Sequence, residues 1–246
     1  MQTHFAHIMQ AFIPAAGLGT RLKPLTDHRP KALVEVGGVP LIKIAINNLS
    51  NLGVRRIVVN VHHFADLLTQ YLYENHWDAE VLVSDERSQL LDTGGGLKKA
   101  ARLFTPDEPI IIHNVDVLTH FNLQELIGQH TSSMNIATLA VSHRNTSRYL
   151  LFDRQRHLVG WHNVKTDEFL WVEQPINEYT SLAFSGIAIL DPHLLDLLPQ
   201  PDHPFPIIPA YLKIAKKHRI NYFLHNTDDW LDVGKPETLQ LAQTWY

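Results

Sequence analysis

Two glycine runs and four charged side chains carry the chemistry this sequence offers. Gly17-Leu18-Gly19 stops an apolar run at 12–16, and small residues there let successive backbone N–H groups approach phosphate oxygens. The spacing matches neither the GxGxxG of dinucleotide folds nor a P-loop. Directly downstream stand Arg21, Lys23, Arg29 and Lys31, with Asp27 the only acid among them. The whole chain has 21 basic and 25 acidic residues and a formal charge of −4. A basic loop on an acidic chain suits a small anionic ligand, although a solvated surface loop has the same composition. Further on, Asn114-Val115-Asp116 follows an apolar run at 109–113, and Trp230-Leu231-Asp232-Val233-Gly234 precedes a helix-like stretch. A carboxylate just past a strand's C-terminal end lies where open α/β sheets bind ligands. Taken alone, both aspartates also suit turn or cap positions. The second glycine run, Gly94-Gly95-Gly96, sits between a strand-like and a helix-like stretch. It reads either as an anion-binding helix N-terminus or as an ordinary turn.

The elements that position these residues alternate. Apolar runs at 12–16, 57–61, 80–84, 109–113 and 136–141 read as strands, the second as a buried one. Between them, 41–52, 64–73, 97–104 and 123–130 carry apolar residues at helical spacing. This alternation predicts an α/β fold, a doubly wound and mostly parallel sheet. From 149 to 190 the helices vanish, and pieces at 149–152, 158–161 and 182–190 predict a small antiparallel β accessory layer covering one side of the sheet. Helices at 206–218 and 236–245 flank a last strand at 220–224. A chain of 246 residues of this pattern is expected to form one domain, 1–246, with the insertion inside it.

Composition excludes several classes. With no cysteine there is no disulfide, zinc-thiolate site or thiol nucleophile. The sixteen histidines form no HExxH or other compact ligand set. His62 and His63 follow the 57–61 strand, where one of them lines the cleft or both pack. The negative charge argues against nucleic acid as a partner. No apolar run approaches the ~18 residues that cross a bilayer, and residues 1–8 hold no apolar signal core, so a cytoplasmic protein with no membrane partner is expected.

The run from Ala15 to Thr26, followed by Pro30-Lys31 and by Val36-Gly37-Gly38-Val39-Pro40-Leu41-Ile42, resembles the signature of the nucleotide-sugar pyrophosphorylases, the sugar-phosphate nucleotidyltransferases. Thr93-Gly94-Gly95-Gly96, Phe184-Ser185-Gly186-Ile187 and the Trp230–Gly234 motif are most similar to the short N-acetylmuramate-1-phosphate uridylyltransferase-like members, and then to mannose-1-phosphate guanylyltransferases. The resemblance implies an enzyme that makes an NDP-sugar and pyrophosphate from a nucleoside triphosphate and a sugar 1-phosphate. Arg21 and Lys31 would act on the triphosphate's phosphates, and Asp116 and Asp232 would hold Mg²⁺. Ala15, Ala16, Gly17, Gly19, Thr20, Gly94, Gly95, Asn114 and Gly186 would line the substrate site. Uridylyl transfer to an N-acetylmuramate-like sugar phosphate is the expected reaction. A mannose- or heptose-1-phosphate guanylyltransferase and a non-catalytic nucleotide-sugar sensor are the alternatives. Three departures matter. Pro14 stands where the family has leucine. Val115 replaces a glycine, at a position where positive φ would make a β-branched residue costly. Gln174 replaces the lysine of an E-K-P motif, with Lys165 a candidate substitute. The family's pattern begins near Met9, which makes residues 1–8 an extension or a misassigned start.

Overall fold

Every residue of the short strand β1 (Gln10–Ile13) is buried, as both faces of a central strand in a parallel sheet are covered. Alternation sends Ala11 and Ile13 into one core and Phe12 into the other. The computed structural model describes residues 9–245, so the N-terminal stretch 1–8 lies outside the described residues. A hairpin of β2 (Glu35–Val36) and β3 (Val39–Pro40) leads into α1 (Leu41–Asn51), whose Leu41, Ile44, Ala45 and Leu49 face the first core. Then follow β4 (Arg56–Val61), α2 (Ala65–Glu74), β5 (Glu80–Asp85), α3 (Asp92–Ala100), β6 (Ile110–His113), β7 (Val117–Thr119), α4 (Leu123–Thr131) and β8 (Ala137–Ser142). The chain continues with β9 (Arg148–Phe152), β10 (Leu158–Asn163), β11 (Glu168–Trp171) and β12 (Thr180–Leu190). It closes with α5 (Leu194–Leu197), α6 (Ile207–Ala215), β13 (Ile220–Leu224), β14 (Trp230–Asp232) and α7 (Pro236–Ala242).

β6, β1, β4 and β5 run parallel in that order, as the alternation of strands and helices requires. β12 then pairs antiparallel with β6 and with β8, and β8 pairs parallel with β13. The fold is therefore α/β with a large, mostly parallel sheet, and the antiparallel strands have a definite attachment. β9, β10 and β11 form a meander that joins the sheet through the first residues of β12, at Thr180–Leu182. β12 thus belongs to both parts. A register shift between Phe184 and Ala188, with Gly186 at φ 74°, marks where it passes from one to the other.

Three local readings change. The strand expected at 12–16 ends at Ile13, which releases Ala15 and Ala16 into the turn. α3 begins at Asp92, so Gly94, Gly95 and Gly96 lie inside its first turns and not in a loop before it. β11 and the small β7–β14 ladder were not visible in the pattern, because each is four residues or fewer. Among the described residues, no helix is long and apolar enough to cross a membrane.

Candidate active site

The glycine turn leaves β1 at the carboxyl end of the parallel strands, and a buried side chain of β4 fixes its start. Asn60 Oδ1 accepts from the Ala15 and Ala16 amides at 2.6 and 3.2 Å, and Asn60 Nδ2 donates to Glu86 Oε1 at 2.7 Å. The other Glu86 oxygen accepts from Leu91 N at 3.1 Å. Glu86 is fully buried, and burial pushes its carboxyl above the usual range against the pull of its hydrogen bonds to Asn60 and Leu91. Both amides are thus turned to Asn60, while the two small residues border the cavity described below. Beyond them Gly17 is open, with no atom near where a Cβ would stand. Gly19 sits at φ 65°, and a side chain there would press on Thr26 and Lys31. Thr26 Oγ1 and Leu22 N both bond to the Gly19 carbonyl at 2.9 Å, closing the turn around Thr20.

Arg21 and Lys31 meet the two aspartates at one corner of this cleft. The antiparallel β7–β14 pair places Asp232 opposite Val117, and Val233 N bonds to the Asp116 carbonyl at 2.9 Å. Residues 116 positions apart in sequence thereby become neighbours. Lys31 Nζ pairs with Asp116 Oδ2, both side chains being mostly buried. Asp232 Oδ1 accepts from Gly234 N at 2.7 Å. A Cβ built on Gly234 would lie 2.6 Å from Asp232 Oδ1, 2.9 Å from Arg21 Nη2 and 3.2 Å from Lys31 Nζ, so these charged ends gather around the glycine and a side chain there would displace them. Burial, and then the charge of Asp116, raise the Asp232 carboxyl above its ordinary range, while Gly234 N, Lys31 and Arg21 oppose the shift.

A cavity of about 640 Å³ opens beside this corner. Gly17, Lys31, Asn114 and Asp116 border it together with the two alanines, and Asp92 and Thr93 close the far wall. Gly186 is not on its lining; its missing side chain makes room for Asn114 Nδ2, and Asn114 N bonds to the Gly186 carbonyl at 2.9 Å. Val115 borders the cavity from the core at an ordinary φ, so the expected backbone penalty does not arise. Gly94 and Gly95 are not part of this wall. Their amides bond to the Phe205 carbonyl at 3.0 and 3.2 Å, and the Gly94 Cα packs under the Phe205 ring. His62 Nδ1 is tied to the Glu86 carbonyl at 2.8 Å, and the His63 ring packs at a tilt against Phe64, so packing accounts for both. Gln174 borders a separate cavity with His157 and Lys217, and Lys165 is exposed in the β10–β11 turn. Sequence reasoning missed Asn60, a polar residue inside the apolar run at 57–61. It also missed Arg144, which lies over the Trp230 ring, 4.3 Å from its centroid.

A glycine turn at the carboxyl ends of parallel strands, with two cations and two carboxylates converging beside it, defines an α/β protein built to handle phosphate groups. The chain belongs to the nucleotidyl transferase family, whose model matches residues 10–245. It is 31% identical over 241 residues to an N-acetylmuramate alpha-1-phosphate uridylyltransferase of Caulobacter vibrioides, with 95% of both chains covered. A mannose-1-phosphate guanyltransferase of Pichia angusta is 30% identical over 233 residues, covering 93% of this chain and 62% of that relative. Among solved structures, HddC from Yersinia pseudotuberculosis complexed with GMP-PN shares the fold at a TM-score of 0.72 and 21% identity, with 96% and 98% of the two chains covered. The protein is an enzyme, a sugar-1-phosphate nucleotidyltransferase.

Proposed function

We propose that this enzyme transfers uridylyl groups from UTP to an N-acetylmuramate-like sugar 1-phosphate, with Mg²⁺, in the cytoplasm and as a single catalytic domain. The observation that carries the reading is the convergence of Arg21, Lys31 and Asp232 on Gly234, with Asp116 paired to Lys31, beside a cavity large enough for a nucleotide. The nucleotide and sugar are argued from the 31% identity over nearly the whole of both chains to a uridylyltransferase.

The chemistry needs little from the protein beyond position and charge. A sugar 1-phosphate is an anion at neutral pH, so its attacking oxygen requires no general base. That oxygen bonds to the α-phosphorus of the triphosphate as the bond to pyrophosphate breaks in line. Arg21 and Lys31 hold the leaving pyrophosphate, and Gly17 lets the nucleotide lie against the turn. The donor set fits Mg²⁺: two carboxylates close enough to repel each other, with no third acid or histidine grouped with them among the described residues. Asp116 and Asp232 would hold a hard cation there, which would supply charge neutralisation for the phosphate oxygens.

Guanylyl transfer is the second reading, and one residue favours it. A guanine edge wants a carboxylate. Asp85 is committed to Arg87 and Glu86 is buried, but Asp92 borders the cavity. The test is a matrix of four triphosphates against N-acetylmuramate, N-acetylglucosamine, mannose and heptose 1-phosphates, read by pyrophosphate release. UTP with the muramate derivative is expected to lead. A GTP pair exceeding the best UTP pair by tenfold would overturn the uridylyl reading and leave the reaction class standing.

A further inference from the structure

Arg144 is a half-buried cation for which the described chemistry has no use. It lies two residues beyond β8, with its guanidinium face on Trp230 and Nη2 donating to the Phe184 carbonyl at 2.6 Å. Among the described residues that is its only hydrogen bond, and its Nε is buried without a partner. Burial works against its positive charge, and the charge of Asp232 favours it. A guanidinium lying over an aromatic ring keeps its N–H donors in its own plane, and with Nη2 spent on Phe184 and Nε covered it is Nη1 that remains open to an anion. Leaving such donors unmatched in a half-buried place is costly, so the arrangement calls for an anion.

The position relative to the carboxylates says which anion. Trp230 and Asp232 are two apart on β14, so their side chains share a face. Asp232 meets Arg21 and Lys31 through Gly234, and Arg144 lies over Trp230. Asp232 thus has Arg21 and Lys31 gathered about Gly234 and a third cation, Arg144, held on Trp230 and within reach of its charge. Two phosphate-bearing molecules must sit about it, and Arg21 with Lys31 account for one. The β12 bulge adds to the argument. Trp230 Nε1 donates to the Ser185 carbonyl at 2.8 Å, so Arg144 and Trp230 together hold the segment that presents Gly186 to Asn114.

Resting on the reading of this site as a sugar-1-phosphate nucleotidyltransferase, we propose that Arg144 binds the phosphate of the incoming sugar 1-phosphate, opposite the pyrophosphate corner. Gln174 borders a separate cavity and Lys165 is exposed in the β10–β11 turn, whereas Arg144 rests on Trp230, on the same strand as Asp232. The experiment uses the full chain and the best pair from the substrate matrix, with Arg144→Met, Arg144→Gln and Arg144→Lys. The expected result is a KM for the sugar 1-phosphate raised at least tenfold in Arg144→Met and Arg144→Gln, with the triphosphate KM within twofold of wild type. Arg144→Lys, which keeps the charge and loses the fork, falls between. A sugar 1-phosphate KM within twofold of wild type in a folded Arg144→Met or Arg144→Gln overturns the proposal. So do equal changes in both KM values together with a lowered melting temperature, the signature of a merely structural arginine. If the methionine and glutamine variants do not fold, the lysine variant decides by the same split between the two constants. A wild-type enzyme silent with every pair refutes the functional reading itself, whereas an active wild type with indifferent variants refutes only the role of Arg144.

Discussion

The two glycine runs look alike in sequence and do opposite things. Gly17 stands at the mouth of the cleft with open space where a Cβ would go, while Gly94 has Phe205 ring carbons 2.5 Å from that point and the Phe205 carbonyl at 2.8 Å. Gly96 is similar, its Cβ position lying 2.6 Å from Glu86 Oε1 and 2.8 Å from Asn60 Nδ2. In the proposed function the first run is small at Gly17 so that a ligand can come close. The second is small so that the chain can pack on itself, with α3 pressed against the segment that leads into α6 and against the Asn60–Glu86 pair. Glycine is disfavoured in a helix interior by roughly 1 kcal/mol relative to alanine, so three in succession in α3 imply that close approach outweighs propensity. The two runs are nevertheless linked, since Asn60 holds the start of the first turn and touches the second run.

Substitutions separate the open region from the packed one. The largest effect is expected at the carboxylates. Asp116→Asn and Asp232→Asn should each lower Mg²⁺-dependent turnover roughly a thousandfold, about 4 kcal/mol, without lowering the melting temperature. Near-normal turnover in either variant at saturating Mg²⁺ removes the metal assignment. Next come the cations: Arg21→Ala and Lys31→Ala should reduce turnover about a hundredfold while the apparent triphosphate constant changes less. Rates within twofold of wild type would make them a solvated surface. In the packed region, Gly94→Ala should cost about 2–3 kcal/mol in denaturant unfolding, because the added methyl meets both ring and backbone. Its turnover per folded molecule should stay within about threefold. An activity loss with unchanged stability would move Gly94 to the cleft and erase the contrast. The smallest effect belongs to Gly17→Ala. Stability should hold or rise by about 0.5 kcal/mol, since the conformation there needs no glycine, while the triphosphate KM rises several-fold.

The sequence carried the repeating architecture well, because buried parallel strands and amphipathic helices leave periodic signals over six to eleven residues. It carried the corner of Arg21, Lys31, Asp116 and Asp232 only through family resemblance. Nothing in their spacing tells that a three-residue ladder will set 116 beside 232. The difference between Gly17 and Gly94 was illegible for the same reason, since what decides it is Phe205, more than a hundred residues downstream. Asn60 was hidden by its neighbours: inside a run of valines and isoleucine, one amide does not disturb the hydrophobic pattern, yet it fixes two backbone donors. Val115 shows the converse. A residue type suggested strain, but the positive φ beside Asn114 falls on Gly186 and the valine rests in the core.

β12 has a consequence for anyone who would redesign this enzyme. One continuous strand serves as a partner of β6 in the central sheet and of β9 in the meander, with the bulge at 184–188 between. A single-residue insertion or deletion on either side of that bulge slips the register, turning inward side chains outward and drawing Gly186 away from Asn114. Loop grafting that crosses β12 would therefore change both halves at once. Exchanges confined to β9, β10 and β11 leave the shared strand intact, which makes the meander the portable part of the molecule and β12 the seam at which a chimera should never be cut.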